Sequence, residues 1–261
     1  MNKLTYTSSS ALGPHTRNLP KPTEDFALID KEHGIYLILD GITRVHAEYE
    51  NQPYKSAACE VNSIFSYAVH SYLLENSDEP DAEKLLRDAV IHGNDKIREF
   101  RSSRTLEQWG FYPGTLGIIG LIRSDRFSYV CAGDCLGMLI RGNSKIQFGY
   151  QPAIQAVDLH KPSKKERYAL YCNHPEHALC YGIFNGDMTV PETIEYSFLD
   201  LCSGDTLLLA SDGISKYLQY QKASVLASET AKDMVAHAGI YDVPPFSAYG
   251  DDKGIIKIQI R

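Results

Sequence analysis

Two apolar runs in this chain end in Asp-Gly: IYLILDG at 35–41 and LLLASDG at 207–213. A carboxylate at the mouth of a buried strand costs free energy unless it is paired or bound to a cation. One Asp-Gly after a strand reads as a turn, because Gly permits positive φ and Asp bonds its own backbone. Two of them, each behind an apolar strand, call for a second explanation. The remaining acids supply it. Glu24 and Asp25 precede the first β-like run, Asp134 sits in AGDC between two others, and Asp251 and Asp252 precede the last. All stand at junctions of strand and loop, and a sheet gathers such junctions at one rim. Hard cations such as Mg²⁺ and Mn²⁺ take oxygen ligands, mostly carboxylate and water. Clustered carboxylates without a cation repel one another. A paired metal site would neutralise them, lower the pKa of a bridging water and clamp a phosphoryl group.

The elements that must position these acids are read from periodicity. DFALID (25–30) and IYLIL (35–39) form a hairpin across Lys31–Gly34. Ala58, Val61, Phe65, Ala68 and Tyr72 recur at helical spacing within about 54–75. A second helix follows Pro80, with Leu85, Leu86, Ala89, Val90, Ile97 and Phe100 on one face and Gly93 weakening it. The two are expected to pack antiparallel. TLGIIGLI (115–122), RFSYVCAG (126–133), LGMLIRG (136–142) and KIQFG (145–149) read as one antiparallel meander. Residues 151–192, with four prolines and many His and Lys, read as an irregular surface flap. Strands return at 193–199 and 205–211, a helix at 221–239 and a last strand at 254–260. Strands and helices in separate blocks predict an α+β fold, two stacked antiparallel sheets with helices outside.

The 261 residues suffice for one large domain or two small ones. With 43% hydrophobic and 23% charged residues the composition is that of an ordinary globular protein. A net charge of −7 argues against a nucleic-acid partner and suits a site built of carboxylates. No apolar run approaches the ~20 residues that cross a bilayer, so no membrane partner is expected. The opening MNKLTYTSSS is a poor signal peptide. Six cysteines without framework spacing point to reduced thiols and a cytoplasmic location. Cys172, His174, His177 and Cys180 are zinc-type residues, but their spacing matches no common finger, and they read as a loop or helix segment.

The ordered set EDF (24–26), LDG (39–41), GT (114–115), AGDCLGMLIRG (132–142), GDTLLLASDG (204–213) and GDDKGIIKI (250–258) resembles the PP2C-type (PPM) metal-dependent serine/threonine protein phosphatases over about residues 18–260. The resemblance implies one such domain over 1–261, with the 151–192 flap inserted, acting as a monomer on phosphorylated protein. It implies two Mg²⁺ or Mn²⁺ ions, with catalysis centred on Asp40 and Asp212. Asp40 would bridge the ions. Asp212 and Asp251 would complete the protein ligands of one, and Glu24 and the Gly41 carbonyl would hold the other. Asp25 would orient a metal-bound water. Thr115 matches a structural hydroxyl, and Asp134 an acid near a weaker third metal site. The implied reaction is in-line attack by a bridging hydroxide on phosphoserine or phosphothreonine.

Three positions depart from the pattern. Pro20 stands where the family carries a phosphate-gripping Arg, four residues before Glu24, which leaves Arg17 and Lys21 as the nearby cations. ITRVH follows the first Asp-Gly, so Ile42 brings no acid and His46 is the nearest imidazole. Lys216 stands four residues after Asp212, where relatives often carry an acid. In a helical turn it would face Asp212 and Asp134 as a built-in counter-charge in place of a third cation. The flap is expected to choose the substrate. The departures keep open a non-catalytic phosphoprotein-binding module and a hydrolase of some other small phosphoester.

Overall fold

The structure is a computed structural model that describes residues 4–13, 23–42, 57–102, 113–241 and 251–261. Period-two apolar patterning builds two sheets, and in each the central strands are buried on both faces. The first sheet has the order β1–β10–β9–β6–β7, with β1 Tyr6–Gly13, β6 Leu136–Arg141, β7 Ser144–Phe148, β9 Thr206–Ala210 and β10 Lys253–Ile260. The second has the order β2–β3–β4–β5–β8, with β2 Phe26–Asp30, β3 Ile35–Gly41, β4 Thr115–Arg123, β5 Arg126–Ala132 and β8 Glu195–Asp200. Among the described residues all eight pairings within these two sheets are antiparallel.

Alternate residues of one strand feed different layers. In β3, Ile35, Leu37 and Leu39 face a core shared with helices α1 (Ala57–Glu75) and α2 (Ala82–Ser102), while Tyr36 and Ile38 face the layer between the sheets. In β9, Leu207 and Leu209 join that inter-sheet layer, and Leu208 and Ala210 face the helices of the opposite side. The result is helix, sheet, sheet, helix, the α+β sandwich expected from the sequence. α2 runs unbroken through Gly93, where an added Cβ would lie 2.6 Å from Val69 Cγ2. That glycine is therefore a point of close contact between α1 and α2 rather than a weak point.

Four readings of the sequence change. The strand β1 was not expected, because its YTSSSALG pattern is mostly polar; it is an edge strand whose backbone pairs with β10. The four-strand meander is two hairpins: β4 pairs with β5 in one sheet and β6 with β7 in the other. The chain changes sheets at 133–135. Gly133 turns there with φ +86°, and a Cβ on it would fall 2.4 Å from the Leu116 side chain. The helix expected at 221–239 is broken into α7 (Ala223–Ser228) and α8 (Ala231–Ala238), because Thr230 and Asp233 form a capping box that starts a new helix. The segment 151–192 holds three short helices, α3 (Pro152–Leu159), α4 (Lys164–Leu170) and α5, which runs Val190–Thr193. Ile154, Val157, Cys172, Tyr181 and Ile183 form a small core beneath it.

Candidate active site

The acids meet at one rim because both sheets deliver their strand ends there. Asp40 and Gly41 end β3, and Gly41 pairs with Thr115 at the start of β4. The buried Thr115 donates its hydroxyl to the Asp40 carbonyl at 2.9 Å, which fixes the end of β3. This supports the structural role expected of that hydroxyl. From the other sheet, β9 delivers Ser211 and Asp212, the latter opening a single 3₁₀ turn, Asp212–Ile214. Ser211 Oγ donates to Asp25 Oδ2 at 2.6 Å and accepts from Gly254 N at 2.8 Å, so one hydroxyl joins β2, β9 and β10. An added Cβ at Gly213 would lie 1.9 Å from the Asp252 carbonyl, so only glycine lets the Asp212 turn lie against Asp251 and Asp252. Asp252 Oδ2 accepts from Glu24 N at 2.7 Å, and Asn62 Nδ2 donates to the Glu24 carbonyl at 2.6 Å. Gly41 packs against the same segment, where a Cβ would fall 2.7 Å from the Glu24 carbonyl.

Electrostatics single out Asp40. Burial pushes its carboxyl well above the ordinary range, and Asp212, Asp25, Asp134 and Asp251 all push it further. Asp25 is likewise raised, by burial and by Asp252, Asp212 and Asp251, against the lowering effect of Ser211. Burial and Asp134 lift Asp212 to about 7, partly offset by a hydrogen bond shared with Asp40. Burial and the charges of Asp158 and Asp251 lift Asp134 to about 6. Buried among these acids, Cys135 is pushed up too, which keeps its thiol protonated. Two carboxylate oxygens, Asp134 Oδ1 and Asp212 Oδ1, are buried without a hydrogen-bond partner among the described residues. Orphaned, mutually repelling, hard oxygen donors are what a divalent cation satisfies. In their chemistry these residues fit the implied ions. Among the described residues, no three His, Cys, Asp or Glu side chains are already gathered as ligands of one ion.

A cleft of about 780 Å³ opens onto this rim, lined among others by Asp134, Asp158, Asp212, Asp251 and Lys216. Lys216 lies in the first turn of α6 (Ser215–Tyr220) and is exposed, flanked by the buried Tyr217 and Leu218. Arg17, Lys21 and His46, the phosphate-gripping and imidazole candidates, lie outside the described residues, as does Pro20. Ile42 continues β3, its N–H donating to the Gly114 carbonyl at 3.1 Å. The Cys172–Cys180 segment is engaged locally: His177 Nδ1 accepts from Leu179 N at 3.0 Å, and His174 pairs with Glu176 at 3.3 Å.

Three contributors escaped the sequence reading. Asp158, on α3, faces the cleft and forms an ion pair with Arg167 on α4. Gln151 is buried and accepts from Gly133 N and Gly182 N, both at 2.8 Å, while its amide donates to the Thr193 carbonyl at 2.8 Å. It thereby ties the 151–192 segment to the residue before Asp134. None of the three carries a local sequence signal: Gln151 acts through partners 18 to 42 residues away, and Asp158 and Arg167 pair across nine residues at a spacing no regular element marks.

No protein-family model matches the chain, and no curated protein does. Solved structures do. PppA, described as a key regulatory component of T6SS in Pseudomonas aeruginosa, superposes with a TM-score of 0.67 at 20% identity, over 100% of both chains. The catalytic domain of the serine/threonine phosphatase PstP, in complex with two manganese ions, gives 0.63 at 20% identity, over 99% of this chain and 98% of its own. The PPM phosphatase MsPP from Mycobacterium smegmatis, bound to cacodylate, gives 0.59 at 18% identity, over 99% of each. Two five-stranded antiparallel sheets between helical layers, matched along essentially the whole length, give this chain the fold of the PP2C-type (PPM) serine/threonine phosphatases.

Proposed function

We propose that this chain is a metal-dependent phosphoprotein phosphatase acting on phosphoserine and phosphothreonine. The observation that carries the reading is the acid rim: Asp40 lies amid Asp25, Asp134, Asp212 and Asp251, drawn from both sheets, with two orphaned carboxylate oxygens. Asp40, Asp212, Asp251, Glu24 and the Gly41 carbonyl would hold two Mg²⁺ or Mn²⁺ ions. Such ions supply a water of lowered pKa and neutralise charge on the phosphoryl group. The chain's own residues do the positioning. Thr115 sets the height of Asp40, Ser211 aims Asp25 into the rim, and Asp252 and Asn62 hold the Glu24 backbone. Phosphate would be gripped from the segment before β2, by Arg17 or Lys21. The segment at 151–192 walls one side of the cleft through Pro152, Gln155 and Asp158 and would select the substrate.

Pro20, standing where the family carries a phosphate-gripping Arg, favours a second reading, a phosphoprotein-binding module without turnover. One assay separates the two. With Mn²⁺, the protein is expected to hydrolyse a phosphothreonine peptide and an aryl phosphate, and a chelator is expected to stop both. Binding of the phosphopeptide without Mn²⁺-dependent phosphate release would replace the first reading with the second.

A further inference from the structure

The cleft poses an electrostatic problem. Four of its lining residues, Asp134, Asp158, Asp212 and Asp251, are acids, and a phosphorylated side chain arriving there is itself an anion. Among the described residues Lys253 is buried and donates to the Asp251 carbonyl at 3.0 Å, which leaves Arg167 and Lys216 as the cations beside the cleft. Arg167 is committed: its guanidinium pairs with Asp158 and hydrogen-bonds Tyr181. Lys216 is not. It lines the cleft, it is exposed, and its side chain makes no hydrogen bond or ion pair to the described residues. A fixed counter-charge would sit against Asp134 or Asp212 in an ion pair; the ammonium is instead left to an incoming group. Its backbone is firmly placed. Tyr217 and Leu218 are buried beside it, Tyr217 hydrogen-bonds Glu229, and Gly213 seats the preceding turn against Asp252.

We propose that Lys216 is a substrate-binding residue whose ammonium receives the phosphoryl oxygens of the phosphorylated side chain at the mouth of the acid rim. This deepens the phosphatase reading and rests on it. A lysine suits the place because it acts as a point charge on a flexible stem, able to meet phosphate without fixed bidentate geometry. It also gives the chain a phosphate contact that does not depend on the position taken by Pro20.

The test uses the full chain in Mn²⁺ buffer, with inorganic phosphate as the calorimetric probe and a phosphothreonine peptide as substrate. Lys216→Ala is expected to weaken phosphate binding and raise KM by about tenfold, with kcat changed by less than about threefold. Lys216→Arg is expected to restore both, and the melting temperature of either variant to stay that of the wild type. Wild-type phosphate affinity and KM in Lys216→Ala would overturn the inference while leaving the phosphatase reading intact. An additional Mn²⁺ bound per molecule by Lys216→Ala, with phosphate affinity unchanged, would also overturn it and make the lysine a counter-charge. A wild type that binds phosphate through Lys216 without hydrolysing the peptide would sink the phosphatase reading and the substrate role with it, leaving Lys216 a phosphate-binding residue of a module without turnover. A wild type that binds no phosphate would end both.

Discussion

Asp40 is heavily loaded: burial and four other carboxylates all push its carboxyl up at once. Replacing it with Asn keeps the shape and removes the charge that would bind the ions. Asp40→Asn and Asp212→Asn are each expected to cut Mn²⁺-dependent turnover by about a thousandfold or more, several kcal/mol of transition-state stabilisation. Turnover of Asp40→Asn above about one-tenth of wild type would remove its assigned role. A different carboxylate, Asp30, reports on stability. Burial acts to raise its pKa, but hydrogen bonds from His70 and His33 prevail and hold it at about 2, against an ordinary 3.8. A depressed acid stabilises above its unfolded pKa and loses that contribution as pH falls through the folded one. Asp30→Asn is therefore expected to cost about 1 kcal/mol near pH 6, after allowance for solvent screening. Denaturant titrations should show the gap to wild type closing between about pH 4 and pH 2. A gap unchanged across that window would refute the account. At this scale the sequence was informative where an acid followed an apolar run, as at Asp40 and Asp212. It was silent on Asp158 and Gln151, whose roles come from partners across folded space.

Strands buried on both faces announce themselves, so β3, β4, β9 and β10 were legible within one or two residues. Polar β1 was not, because an edge strand needs only its backbone to pair. The change of sheets at Gly133 was equally hidden: a hairpin and a crossover have the same local pattern, and only packing against Leu116 and Gln151 decides between them. The helix read at 221–239 joined α7 to α8 for a related reason, since the end of α7 is also fixed by a distant lysine. Lys257, buried on central β10, donates to the carbonyls of Leu226, Ala227 and Glu229 at the end of α7. Lys145 on β7 does the same for Leu218, Gln219 and Gln221 at the end of α6. Lys257→Met would fill the space and strand those carbonyls, at a cost of about 2–4 kcal/mol in denaturant unfolding. A loss under about 0.5 kcal/mol would mean that water takes over the capping. Gly213→Ala should act on the site rather than on the fold. The turn must retreat from Asp252, so Mn²⁺ affinity is expected to fall by more than about tenfold while the far-ultraviolet circular dichroism stays that of the wild type.

For the molecule as a whole, folding crowds acids that repel, and a bound cation would release that tension. Saturating Mn²⁺, at about one hundred times its dissociation constant, is expected to add roughly 2.7 kcal/mol, or about 5–10 °C in melting temperature. A chelator should reverse the rise, and an unchanged melting curve in millimolar Mn²⁺ would favour the module without turnover. Among the described residues no helix is long and apolar enough to cross a membrane. Asp40 rides on one sheet, Asp212 and Asp251 on the other, and Asp134 marks the crossing between them. The rim therefore works as a gauge of alignment. A slip of one residue between the sheets moves a carboxylate by about 3.3 Å, whereas a Mg²⁺–oxygen bond is only about 2.0–2.1 Å long. What sets that alignment is the inter-sheet layer of Ile38, Ile118, Leu209 and Ile256, all wholly buried. A descendant that kept every acid but repacked those aliphatic side chains would still fold, and would fall silent.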